Sequence, residues 1–312
     1  MTKQKIVAIV GPTGVGKTAL AVELAQRFPV EVVSVDSRQV YRGMDIGTGK
    51  ATPEERTAVR HHLVDIVEPT DDFSLALFLD MTHAAIADIA ARGKLPLLVG
   101  GTGQYLWALL EEWRVPAVPP DPAFRAELEA MLREQGREAL AQRLAEADPK
   151  AMAIVDTQNP RRVIRALEVQ RATGVPFSQL RARGDGRYDA LVIGLTMPRE
   201  ILYRRIDARV DAMLAAGWVE EVRRLLGQGI TREHSCMAST GYRELATYLA
   251  GQVTLEKVTW NIKTATHRFA RRQYAWFRLK DLRIRWLDAS EPAKAAEEAE
   301  ALIQSFLPLL RE

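Results

Sequence analysis

The run Gly11, Pro12, Thr13, Gly14, Val15, Gly16, Lys17, Thr18 fits the pattern G-x-x-x-x-G-K-[ST]. A loop of this kind binds phosphate. Successive backbone N–H groups and the positive end of the following helix face the anion, Lys17 adds a mobile charge, and the Thr18 hydroxyl can ligate a magnesium ion. The motif does not choose among kinases, NTPases and enzymes whose leaving group is a diphosphate. An NTPase would place a carboxylate at the end of a later core strand to hold the metal. Here the candidate strand at 95–99 runs into Gly100-Gly101-Thr102-Gly103, which carries none.

Other side chains converge on the same region. Asp36 directly follows a strand at 30–35, so its carboxylate emerges beside the phosphate loop at a strand's carboxyl end, where open α/β sheets bind ligands and where a general base belongs. The plainer reading is an Asp capping its own turn. Thr102 ends a second core strand and points to the same crevice. Arg205 and Arg209 stand four apart on one helix face, so both can reach a diphosphate above the loop, with solvated helix arginines as the alternative. Arg161, Arg162 and Arg165, with Glu168 in pairing range, read on their own as a solvated face. His61 and His62 are adjacent and His83, His234 and His267 isolated, which is not metal-ligand spacing.

These residues need a scaffold, and the pattern supplies one. A strand at 6–10, the glycine loop and a helix at 19–27 are followed by strands at 30–35 and 95–99, apolar on both faces as buried parallel strands are, with a helix at 75–92 between them. The alternation predicts an α/β fold, a P-loop NTPase-like parallel sheet flanked by helices. The proline-rich stretch 115–122 reads as a hinge, and 123–169 as polar helix without a strand signal. A strand at 191–195, two helices within 198–228 broken at Gly217, a basic aromatic helix at 260–279, a strand at 284–287 and a helix at 292–310 complete the reading. The predicted organisation is a first core part (1–118), a helical insertion (119–187) and a second core part with a basic helical region (188–312).

Composition narrows the function classes. The 312 residues are 47% hydrophobic and 27% charged, which excludes collagen-like and wholly disordered chains. A single cysteine, Cys236, excludes an intramolecular disulfide framework and any multi-cysteine metal centre. The first apolar run is too short for a signal peptide and no stretch approaches a membrane span, so a cytoplasmic protein without a membrane partner is expected. Net charge is only +3, yet 257–285 holds nine Lys/Arg against Asp281 alone. There Lys263, Arg268, Arg271, Arg272, Arg278 and Lys280 interleave with Phe269, Tyr274, Trp276 and Phe277. Such a mixture suits RNA, cations to phosphates and rings partly to the core.

Taken together, the phosphate loop, Val35-Asp36-Ser37 with Gln39-Val40-Tyr41, Gly43 to Thr48, His62-Leu63-Val64-Asp65, Gly100 to Tyr105, Asn159 to Glu168, Gly241 to Glu244 and Arg271 to Arg278 resemble the tRNA dimethylallyltransferase family in order and spacing. Ser239-Thr240 and Gln104 stand where aliphatic residues are common in that family. The resemblance implies transfer of a dimethylallyl group from dimethylallyl diphosphate to N6 of adenosine 37 in tRNAs reading U-initial codons. It implies that Gly11 to Thr18 bind the diphosphate with Mg2+ on Thr18, that Asp36 is the general base, that Thr102 lies against the target nucleotide, and that Arg209, with Arg205 as the alternative, faces the diphosphate. For the tRNA anticodon stem-loop it implies contacts from Asp36, Ser37, Arg38, Gln39, Thr102, Arg125, Arg161, Arg162, Val163, Ile164 and Arg165, reversing the solvated-face reading of that cluster. A monomer is expected. The competing readings are an adenylate-type prenyltransferase acting on a free nucleotide, a P-loop small-molecule kinase and an RNA-binding NTPase switch.

Overall fold

The computed structural model describes residues 3–116, 118–180, 184 and 186–307. Position 117 of the expected hinge, positions 181–183 and 185 of the expected insertion, and the end of the expected last helix at 308–310 lie outside them. The chain forms two compact units, one of Met1–Ser74, Phe78–Leu110 and Arg187–Glu312, the other of Leu75–Leu77 and Glu111–Gly186.

The first unit opens with β1 (Gln4–Val10), buried from Ile6 to Val10, and continues through α1 (Lys17–Ala25) into β2 (Val30–Val35), buried throughout. Two short elements follow that periodicity does not reveal. The helix α2 (Pro53–Ala58) is started by a Thr52–Glu55 capping box, and β3 (His61–His62) is two residues long. Then come α3 (Leu75–Ala91), β4 (Leu95–Gly100) and α4 (Gly103–Leu110).

In the second unit α5 (Pro122–Ala147) and α6 (Pro160–Thr173) each begin with an Asx cap, Asp121 or Asn159, and a proline in the first turn. Non-helical backbone at Gly136 kinks α5, and α7 (Phe177–Leu180) closes the unit. Its core is built from Phe124, Leu128, Leu140, Leu144, Val163, Ile164 and Leu167.

The chain re-enters the first unit through β5 (Tyr188–Thr196), followed by α8 (Arg199–Ala215), α9 (Trp218–Gly227), α10 (Tyr242–Leu249), α11 (Leu255–Trp276), β6 (Ile284–Asp288) and α12 (Pro292–Phe306). The break expected at Gly217 is there, as the left-handed N-cap of α9. The basic helix begins five residues earlier than its aromatic content suggests, because Thr254 caps it through Lys257 N–H. Among the described residues no helix is long and apolar enough to cross a membrane.

The six strands run in the order β3-β2-β4-β1-β5-β6, all parallel. Their carboxyl ends therefore share one edge of the sheet. Because β4 lies between β2 and β1, the segments leaving these three strands are neighbours, with β2 and β1 about 10 Å apart.

A second apolar cluster gathers Tyr41, Met44, Val210, Trp218, Val222, Leu225, Tyr242 and Ile262. Beside these residues Glu221 is 1% exposed. Its carboxylate accepts from Asp45 N (2.7 Å), Ile46 N (2.8 Å), Gly47 N (3.2 Å) and Tyr242 Oη (2.6 Å). Burial and the adjoining Glu221 charge push the Tyr242 hydroxyl well above its usual range, so it stays a donor. Removing the carboxylate strands four donors. Glu221→Ala is expected to cost about 3 kcal/mol of stability and Tyr242→Phe about 1 kcal/mol, both measured by denaturant unfolding.

Candidate active site

A cavity of about 650 Å³ opens at the carboxyl edge of the first unit's sheet. Its walls include Lys17 and Thr18 after β1, Asp36 after β2, Thr102 after β4, and Arg209 from α8. The strand order accounts for this convergence, since the segments leaving β1, β2 and β4 share one edge.

The phosphate loop is shaped by backbone only glycine tolerates. Gly11 has φ +142° and Gly16, the N-cap of α1, has φ +104°. Thr13, Gly14, Gly16, Lys17 and Thr18 line the cavity. Val15 instead packs into the apolar core, and the carbonyls of Gly11 and Pro12 accept from Lys17 Nζ at 3.0 and 2.9 Å. The Thr13 amide donates to Gln273 Oε1 at 2.8 Å, so it is engaged within the protein. The first amides of α1 have no intrahelical acceptor and supply the remaining donors. Burial lowers the Lys17 ammonium to about 8, with Asp36 opposing the shift and Arg209 adding to it.

Asp36 combines both of its sequence readings. Its Oδ1 accepts from Arg38 N at 2.8 Å, closing an Asx turn, while the residue lines the cavity. Thr102 Oγ1 accepts from Ser37 N at 3.2 Å, and Thr102 N donates to Val35 O at 3.2 Å, tying the ends of β2 and β4 together. Arg38 Nη1 donates to Ser235 O at 2.8 Å. Gln39 lines the cavity, but its carboxamide is engaged in the loop, accepting from Ser34 Oγ at 2.9 Å and donating to Gly49 O at 3.1 Å.

Of the two α8 arginines, Arg209 is the one on the cavity wall, its Nη2 3.5 Å from Gly49 O. Arg205 lies over the loop near Gly16. The basic helix α11 contributes Phe269, Arg272, Gln273 and Trp276 to the cavity. Phe277 is buried, and Lys263 pairs with Asp211 at 2.7 Å. Gln104, Ser239 and Thr240 also line the cavity.

Among the described residues no group of three or more His, Cys, Asp or Glu is placed to hold a metal. The Thr18 hydroxyl on the wall of this cavity suits magnesium, which takes few protein ligands and completes its shell with phosphate oxygens and water.

In the second unit Glu168 is 1% exposed and accepts from Arg125 Nε (2.8 Å) and Nη2 (3.0 Å), Arg165 Nη1 (2.7 Å) and Asp121 N (2.7 Å). Burial opposes its charge, but these donors hold the carboxyl at about 2. Arg161 and Arg162 are exposed. Val163 and Ile164 are 1% and 7% exposed, in that unit's core. Their side chains are therefore enclosed within that unit.

Sequence reasoning missed Gln273 and Glu221. Each is a buried polar residue in a run that reads as amphipathic helix, and the only signal is a polar side chain at an apolar-phase position.

A family model described as IPP transferase matches residues 39–280, and one described as isopentenyl transferase matches residues 4–66. The chain is 57% identical over 273 residues to the tRNA dimethylallyltransferase of Roseiflexus sp. (strain RS-1), covering 88% of this chain and 90% of that protein. It is 45% identical over 311 residues to that of Geobacillus thermodenitrificans (strain NG80-2), covering 99% and 98%. The solved full-length tRNA isopentenylpyrophosphate transferase from Bacillus halodurans matches with TM-score 0.70 and 42% identity, covering 97% of this chain and 98% of that one. A eukaryotic dimethylallyltransferase acting on tRNA matches with TM-score 0.82 and 29% identity, covering 99% and 81%.

The lowered Lys17 ammonium has a measurable consequence. Below pH about 8 it is charged and above that it is neutral, so affinity for inorganic diphosphate is expected to fall as pH rises through this value. Isothermal titration across that range should show the fall in the intact chain and lose it in Lys17→Met.

Proposed function

The chain belongs to the tRNA dimethylallyltransferase family, and on that premise we propose that it transfers the dimethylallyl group of dimethylallyl diphosphate to N6 of adenosine 37 in tRNAs reading U-initial codons. The observation that carries the reading is the convergence of Lys17, Asp36, Thr102 and Arg209 on one cavity.

An exocyclic adenine amine is a weak nucleophile because its lone pair is delocalised into the ring. Asp36, with Oδ1 fixed by the Arg38 amide, turns its other oxygen to orient the amine and accept its proton. The bond from N6 to the allylic carbon forms as the bond from that carbon to the diphosphate oxygen breaks. The diphosphate leaves with the electron pair. Charge growing on it is met by the α1 amides, Lys17 and Arg209, which are in place before the reaction. Magnesium, held by the Thr18 hydroxyl together with diphosphate oxygens, would neutralise part of that charge when bound. Thr102, hydrogen-bonded to Ser37, sits where the acceptor base enters.

The target base must leave its stack, at a cost of a few kcal/mol that binding offsets. Arg125, Arg161, Arg162 and Arg165 of the helical unit grip the anticodon stem-loop in this reading, with the exposed cations of α11 adding to the phosphate-facing charge. The protein acts in the cytoplasm.

The test is to incubate the chain with magnesium, radiolabelled dimethylallyl diphosphate and unmodified tRNA bearing A36-A37-A38, with AMP and ATP in parallel. Label is expected on A37 alone; label on a mononucleotide would instead indicate an adenylate-type enzyme. Asp36→Ala is expected to lower single-turnover transfer by roughly 10²-fold or more while tRNA affinity, read by filter binding, is retained.

A further inference from the structure

Gln273 lies on α11 and is 5% exposed. Both ends of its carboxamide are engaged: Oε1 accepts from Thr13 N at 2.8 Å, and Nε2 donates to Gly101 O at 3.0 Å. One partner belongs to the phosphate loop after β1. The other belongs to the turn after β4 and immediately precedes Thr102, whose hydroxyl holds Ser37 beside Asp36. A single side chain therefore bridges the segment that binds the leaving group and the segment that meets the acceptor.

The surroundings leave this bridge little play. A Cβ on Gly101 would overlap Gln273 Nε2, and a Cβ on Gly103 would overlap Trp276, one helical turn further along α11. Trp107 Nε1 donates to Trp276 O at 3.0 Å, which fixes the end of the same helix. Glycine at both positions lets α11 approach the turn closely enough for the carboxamide to reach both backbones.

We infer that Gln273 is a positioning residue that sets the separation between the diphosphate site and the acceptor site. The inference rests on the transferase reading above. In-line displacement needs the attacking nitrogen and the allylic carbon in near-contact, and a displacement on the order of 1 Å can cost about 10²-fold in rate. Both polar atoms of the Gln273 carboxamide are taken up by Thr13 and Gly101, so it acts through those two backbones.

Two variants of the full chain test this. Q273M keeps the volume and removes both hydrogen bonds. It is expected to slow single-turnover transfer at least ~10-fold while the dissociation constants of dimethylallyl diphosphate and tRNA each stay within about threefold of the unchanged chain. Q273E keeps an acceptor for Thr13 N–H but sets a carboxylate oxygen against the Gly101 carbonyl. Lowering the pH protonates the introduced carboxyl and restores a donor, so its rate relative to the unchanged chain at the same pH is expected to rise as pH falls. A merely space-filling role would not give that profile. Unimpaired transfer by Q273M, a loss of donor affinity that accounts for its rate, or a pH-independent ratio for Q273E would each overturn the inference. Thermal melting of each variant checks folding, and the near-isosteric Q273E carries the test where Q273M does not fold. Failure of the unchanged chain to transfer would defeat the function reading itself, and is distinguishable because it needs no variant.

Discussion

The parallel order β2-β4-β1 is the constraint on which the site depends. Parallel strands put all their carboxyl ends on one edge, and placing β4 between the other two brings three chemically different segments into a row. The spacing of about 10 Å between β2 and β1 leaves room for a leaving group above one strand and an acceptor above the other, with Thr102 between them. Antiparallel pairing would send alternate ends to opposite edges and separate Thr102 from Asp36 and Lys17.

A sheet edge supplies positions but not rigidity, because the segments that leave it are irregular backbone whose polar groups need partners. Buried and half-buried polar side chains provide them. Glu221 holds three consecutive amides of the segment after β2, Lys50 is 1% exposed at its side chain and donates to Tyr41 O at 2.6 Å, and Gln39 holds the Gly49 carbonyl that Arg209 also approaches. Each would be costly to bury unpaired. Each is paired, so the same low dielectric that penalises a missing bond strengthens those present.

Much of this was legible in the sequence. The phosphate loop, the buried strands and the strand-end positions of Asp36 and Thr102 are local signals, readable because a strand's direction fixes where the next residue emerges. The break at Gly217 was legible for the same local reason. The short elements α2 and β3 were not, since six and two residues are too few for a period to show. The roles of Gln273 and Glu221 were not legible either, because Thr13 lies 260 positions from the first and the amides at 45–47 lie 174 to 176 positions from the second.

The ion cluster of the helical unit shows how burial and availability coexist. Glu168 is enclosed, yet the side chains of Arg125 and Arg165 remain 40% and 35% exposed. Two guanidiniums share the one Glu168 carboxylate. Pairing also fixes both guanidinium planes, so rotamer entropy that a free arginine would lose on meeting an anion is already lost in the folded unit. A cluster built this way presents ordered positive charge to solvent, which a face of unpaired lysines would not.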